Sequence, residues 1–198
     1  MSQSFLTIQT SSSGIYKEKG SKFLSFAMPV SDIEEIKEYI ADFKKKYYDA
    51  RHVCYAYILG NDGSEYRVND DGEPSGTAGR PIFGQIQSRN LTNVLVVVVR
   101  YFGGVLLGTG GLVTAYKEAA SDALLQATII QVDIKSKIKI TCDYQFVDIV
   151  MSTINNANAE ISNKNFTDIC ELEILVPLAN KDYLAGKLEN IVKLNIIY

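Results

Sequence analysis

Two stretches of this 198-residue chain carry more chemistry than a fold requires. The first is Asp70-Asp71-Gly72-Glu73-Pro74-Ser75-Gly76-Thr77-Ala78-Gly79-Arg80-Pro81. Gly76 and Gly79 let backbone amides approach a ligand closely, and Ser75 or Thr77 is placed to cap a helix start, where unpaired amides favour an anion. Arg80 suits bidentate capture of a phosphate or carboxylate. The competing reading is an ordered loop, in which the aspartates bond turn amides and Arg80 pairs with Asp70, Asp71 or Glu73. Magnesium binding or paired-carboxylate hydrolysis by those three acids are further alternatives, although neighbouring carboxylates more often build a turn or a metal site than an acid/base pair. No metal and no cofactor is assigned.

The second stretch is Arg100-Tyr101-Phe102-Gly103-Gly104-Val105-Leu106-Leu107-Gly108-Thr109-Gly110-Gly111-Leu112. It reads as a buried strand, a glycine loop at Gly108–Gly111 and a helix. The pattern G-x-x-x-x-G-K-[ST] fails for want of a lysine, and G-x-G-x-x-G fails because Val113 holds the third glycine position. Helix-terminus binding of a phosphate or an acidic partner stays open. His52, the single histidine, stands two residues from Cys54 on one strand face. Two such groups fall short of a zinc site, and a packed histidine is the reading preferred over a Cys–His nucleophile. Catalytic residues are therefore not assigned.

The elements that position these stretches follow from periodicity. Residues 5–30 read as strands separated by a turn at Ser11–Gly14, and Pro29 ends them. Ser31 and Glu34 fit a capping box ahead of a helix whose stripe is Ile33, Ile36, Ile40, Phe43 and Tyr47. Residues 53–59 form a strand, Asn61-Asp62-Gly63 a hairpin turn and Glu65–Val68 the return strand. Residues 82–90 end a short helix. Asn93–Tyr101 is a strand too apolar for a wet face, and a helix of about 15 residues follows the glycines. Thr128–Ile134 closes the unit. Lys135–Cys142 then alternates apolar and charged positions, as a half-wet antiparallel strand does. A helix at Gln145–Asn156, strands at Ala159–Asn165 and Ile169–Val176, a helix at Lys181–Ile191 and a strand at Leu194–Tyr198 complete a βαββαβ order. The fold class is α+β, with domains at 1–135 and 136–198.

The composition is that of a globular protein: 46% hydrophobic, 22% charged and a net charge of −3. That balance counts against a general nucleic-acid coater, and no DNA partner is expected. Cys54, Cys142 and Cys170 are odd in number and far apart in sequence, so free buried thiols are expected rather than disulfides. Residues 1–14 have no basic segment followed by an apolar one, so they are not expected to be a signal peptide, and Val94–Val99, the most apolar run, is far short of the ~20 residues that span a bilayer. A cytoplasmic protein without a membrane partner is expected; the oligomeric state stays open.

The two stretches, together with His52–Tyr57 and Gly20–Phe23, closely resemble the YigZ/IMPACT family. The match is strong over residues 15–130. The resemblance implies a first domain like domain 2 of ribosomal protein S five, a β-rich layer backed by two helices. It implies a ferredoxin-like second domain similar to one in elongation factor G. Eukaryotic relatives regulate translation by competing for the activator of a kinase that senses uncharged tRNA, with a second domain this chain lacks. The implied function is a non-catalytic regulator binding the ribosome, RNA or a translation-associated protein through the signature residues Asp70, Asp71, Glu73, Ser75, Gly76, Thr77, Gly79, Arg80, Arg100, Tyr101, Phe102, Gly103, Gly104, Gly108, Thr109, Gly110 and Gly111. Arg67 and His52 are further candidates. The alternative is an enzyme or binder acting on a phosphorylated or nucleotide-like small molecule at the glycine-rich helix start. Small-molecule kinases share the first domain's topology, but their Ser-rich loop completion is missing here.

Overall fold

The apolar run at Val94–Val99 has no wet face because both of its faces are covered. Val94, Val96 and Val98 pack into one buried cluster and Leu95, Val97 and Val99 into another on the opposite side. The structure, a computed structural model, describes residues 3–189 and 192–197. The chain divides into two units, Phe5–Val132 and the part from Asp133 onward with Gln3 and Ser4.

In the first unit the elements are β1 (Ser4–Ile8), β2 (Ser12–Glu18), β3 (Ser21–Pro29), α1 (Ile33–Lys46), β4 (His52–Leu59), β5 (Glu65–Asn69), α2 (Gly79–Gln87), β6 (Val94–Tyr101), α3 (Gly108–Leu125) and β7 (Ile129–Asp133). Five strands form a sheet in the order β2-β3-β6-β4-β5, antiparallel throughout, while β1 pairs with β7. Helices α2 and α3 cover one face through Ile82, Ile86, Leu112, Tyr116 and the alanines Ala115, Ala119 and Ala123. Helix α1 covers the other with its stripe of Ile33, Ile36, Ile40, Phe43 and Tyr47. The sheet is thus backed by three helices, not two.

Local chemistry moves several expected boundaries. The cap of α1 is Asp32, not Ser31: its carboxylate accepts from Glu35 N at 2.9 Å, and Glu35 Oε2 accepts from Ser31 N at 2.8 Å. The cap is therefore shifted by one residue, and Glu35 reaches back to the amide of Ser31, one position before the cap, rather than closing a reciprocal box. Ser12–Gly14 belong to β2, so the break after β1 falls earlier, at residues 9–11, and a further turn at Lys19-Gly20, with φ of 47° and 79°, joins β2 to β3. Gly14 serves close packing instead: a Cβ there would stand 2.6 Å from Ala123 N. Helix α2 begins at Gly79, inside the first signature stretch, and α3 begins at Gly108, itself at φ 70°, so Thr109–Gly111 form a helical first turn rather than a loop.

The second unit contains β8 (Lys135–Cys142), α4 (Val147–Asn156), β9 (Glu160–Phe166), β10 (Cys170–Pro177), α5 (Lys181–Leu188) and β11 (Lys193–Ile197). The sheet order is β11-β8-β10-β9, and every pair is antiparallel. Ile138, Ile140, Leu172, Ile174 and Val176 face Val150, Ile154, Leu184 and Leu188 of the two helices. The alternate positions carry cross-strand ion pairs, Lys137–Glu173 at 2.8 Å and Lys139–Glu171 at 3.0 Å. The expected helix end at Asn190–Ile191 and the last strand residue, Tyr198, lie outside the described residues. All three cysteines are free and buried. Among the described residues no helix is long and apolar enough to cross a membrane.

Glycines of the second signature stretch divide sharply. A Cβ on Gly103 would overlap the Gly20–Ser21 backbone, whereas one on Gly110 meets nothing within 4 Å. Urea unfolding of Gly103→Ala is expected to show a loss of about 2 kcal/mol or more. Gly110→Ala is expected to gain about 0.5 kcal/mol from helix propensity.

Candidate functional site

Each carboxylate of the first signature stretch has an internal partner. Asp70 Oδ1 accepts from Ala78 N at 3.0 Å and Gly79 N at 2.8 Å, and Oδ2 accepts from Gly76 N at 2.8 Å. Helix α2 has no side-chain cap at Ala78, so Asp70 caps it from upstream in place of Ser75 or Thr77. Thr77 instead turns inward and donates to Pro74 O at 2.6 Å, while Ser75 is exposed. Asp71, at φ 42°, accepts from Val53 N and from Lys44 Nζ, both at 2.8 Å. Burial opposes ionisation of both aspartates. It is outweighed by the amides of Gly76, Gly79 and Ala78 at Asp70, and by Lys44 and the Val53 amide at Asp71, so both carboxyls are held below their ordinary values.

The third carboxylate is the centre of the arrangement. Register places Phe23, Arg100 and His52 side by side across β3, β6 and β4. Glu73, 8% exposed, reaches this row: its Oε1 accepts from Arg100 Nη1 at 2.6 Å and from the Tyr116 hydroxyl at 2.7 Å. His52 Nε2 stands 3.8 Å from the same oxygen, and its Nδ1 is 2.8 Å from Asp71 O. The Arg100 guanidinium lies between the rings of Phe23 and Phe102, at 5.5 and 5.8 Å. Cys54 Sγ is 3.0 Å from Asp70 O and 3.3 Å from Tyr116 OH. Burial pushes the Cys54 thiol and the Tyr116 phenol well up, so both stay protonated at neutral pH and Cys54 is no thiolate nucleophile.

A pocket of about 480 Å³ opens over this row. Glu73 and Pro74 contribute from the first stretch, and Arg100, Phe102, Leu106, Leu107, Gly108, Thr109 and Leu112 from the second, with Arg51 and His52 beside them. The two stretches therefore meet. The remaining sequence candidates stand elsewhere. Arg80 is exposed in the first turn of α2, and the buried arginine partner is Arg100 with Glu73, not Arg80. Tyr101 points to the opposite sheet face and donates to Asp49 at 2.9 Å, and Arg67 lies exposed on the edge strand β5. Gly76 and Gly79 belong to the Asp70 turn, Gly103 meets Gly20, and Gly104, Gly110 and Gly111 flank the pocket without lining it. Asp70, Asp71 and Glu73 do not converge, and among the described residues no three His, Cys, Asp or Glu side chains are placed to hold a metal ion.

Sequence reasoning passed over Arg51 and Tyr116, and within the two stretches it did not single out Pro74, Leu106, Leu107 or Leu112. Tyr116 sits on the apolar stripe of α3, and its hydroxyl was the one signal of a polar partner within that stripe.

The Impact N-terminal domain profile matches residues 19–124. IMPACT family member YigZ of Escherichia coli (strain K12) is 31% identical over 172 residues, covering 86% of this chain and 84% of that protein. IMPACT family member YvyE of Bacillus subtilis (strain 168) is 30% identical over 176 residues, covering 89% and 81%. A crystal structure described as that of a hypothetical protein superposes with a TM-score of 0.77 at 29% identity, over 100% of this chain and 99% of that one.

The Asp70 turn generates a pH test. Because both aspartate pKa values are lowered by folding, their contribution is complete above the unfolded-state pKa and is lost as pH falls through the folded one. The thermal unfolding temperature is expected to fall as pH drops below about 4. Asp70→Asn is expected to cost about 2 kcal/mol at neutral pH and to flatten that acid slope.

Proposed function

The chain belongs to the IMPACT family, and on that premise we propose that it is a non-catalytic cytosolic regulator linked to translation. Its partner on this reading is the ribosome or a translation-associated protein, docked where the two signature stretches meet. The observation that carries the reading is the rim of the pocket. Phe102, Val105 and Leu106 are 42%, 51% and 83% exposed on the segment between β6 and α3, directly beside a rigid, buried ion pair. Large apolar side chains held out over a firm base are what a protein interface uses as anchors.

Other features support the same assignment. The order β11-β8-β10-β9, with both helices on one face, fits a ferredoxin-like domain over residues 136–198, similar to a domain of elongation factor G. The antiparallel sheet with α2 and α3 on one face fits the S-five-domain-2-like plan over residues 1–135. Bare RNA is the less favoured partner. The chain carries a net charge of −3, and the open face of the second sheet bears Lys–Glu pairs instead of the aromatic platforms that stack bases. A non-catalytic role agrees with a buried, protonated Cys54 and three carboxylates already bonded internally.

Sucrose-gradient sedimentation of the tagged protein in lysate tests this, at low and high salt and with or without ribonuclease. Co-migration with ribosomal particles that Leu106→Asp weakens about tenfold or more is the expected result. Migration as a small free protein under every condition would overturn the reading. Association abolished by ribonuclease yet unchanged in Leu106→Asp would point to RNA instead.

A further inference from the structure

We propose that the pocket is a binding site for a phosphate monoester, with the phosphate at the start of α3 between Arg51 and Arg100 and an apolar or aromatic body against Phe102 and Leu106. This goes beyond the docking reading and does not depend on it, since it rests on the interior of the pocket rather than on its rim.

The start of α3 is the first observation. This 18-residue helix has no side-chain cap and no acidic residue in its first turn. Its leading amides thus lack the acceptors that helix termini require, and its dipole favours negative charge there. Gly108 and Thr109 line the pocket, and a Cβ on Gly108 or Gly110 would meet nothing within 4 Å, so no neighbouring side chain or backbone crowds these glycines.

Arg100 is the second and independent observation. The residue is 5% exposed and lines the same pocket, yet its buried Nε has no hydrogen-bond partner while Nη1 is held by Glu73. Nε is closed off from solvent, so it is Nη2, which has no hydrogen-bond partner among the described residues, that an anion in the pocket can engage. Arg51 adds a second guanidinium at the mouth, exposed and without an ion pair or side-chain hydrogen bond among the described residues.

Charge and shape then narrow the ligand. Glu73 is neutralised by Arg100, so Arg51 and the helix terminus leave the pocket attractive to anions and unattractive to cations. Amides on one side and two guanidiniums on others suit the several acceptor oxygens of a phosphate better than the planar pair of a carboxylate. Phe102, Leu106, Leu107 and Leu112 form an apolar wall, and about 480 Å³ is the size of a small-molecule site.

The test is amide NMR of the full chain titrated with phenyl phosphate, inorganic phosphate and phenol at constant ionic strength. Saturable shifts at Thr109, Gly110 and Gly111 are expected with phenyl phosphate and, about fivefold more weakly, with inorganic phosphate, but not with phenol. Thr109→Asp sets a carboxylate at the same amides and Arg51→Ala removes the exposed cation, and each is expected to weaken binding about tenfold. Absence of saturable shifts, equal responses to phenol, or unchanged affinity in both Thr109→Asp and Arg51→Ala would overturn the proposal. Inorganic phosphate binding as tightly as phenyl phosphate would overturn its apolar half.

Discussion

One buried carboxylate oxygen, Glu73 Oε1, joins the first signature stretch to three other parts of the first unit. It accepts from Arg100 at the end of β6 and from Tyr116 on α3, and it faces His52 at the start of β4. A carboxylate at 8% exposure survives only when its charge is paired and its lone pairs are used. Everything about the first signature stretch serves that demand. Asp70 fixes the turn by binding three amides, Asp71 pins the stretch to β4 and to Lys44 of α1, and Glu73 is delivered between them into the core. The conspicuous acids are thus mostly scaffold, and the pocket is what the scaffold leaves open.

The second stretch divides in the same way. Arg100 is clamped by Glu73 and by two aromatic rings, and Gly103 lets β6 leave the sheet against the Gly20 turn. These residues hold. Val105, Leu106, Gly108 and Thr109 are free of that work and face solvent or the pocket, and Phe102 does both. A firm interior beneath an exposed apolar rim loses little conformational freedom when a partner arrives, which favours recognition.

Much of the fold is legible in the sequence because it is local. The stripe of α1, the two-sided apolarity of Val94–Val99 and the half-wet alternation of Lys135–Cys142 each follow from short-range periodicity. The site is less legible because its contacts are not local. Asp70 caps a helix that begins at Gly79, beyond the usual reach of a cap, and Arg100 finds Glu73 across 27 positions. Arg80, next to the acids in sequence, is the obvious partner, yet it sits on the outward side of the first turn of α2. The small error at Ser31 has the same origin as a larger one at Gly108–Gly111. Both are helix starts, where sequence marks the neighbourhood and the choice of first residue depends on which acceptor or open space lies nearby.

The central claim is that Glu73 and Arg100 act as one unit on which the pocket depends. A double-mutant cycle in urea, comparing the native chain with Glu73→Gln, Arg100→Gln and the double variant, tests it most directly. Each single change leaves a buried charge unpaired and is predicted to cost about 3 kcal/mol or more, while the double variant costs far less than the sum, giving a coupling of about 2 kcal/mol. Losses that add to within about 0.5 kcal/mol would contradict the account, because the two side chains would then be independent.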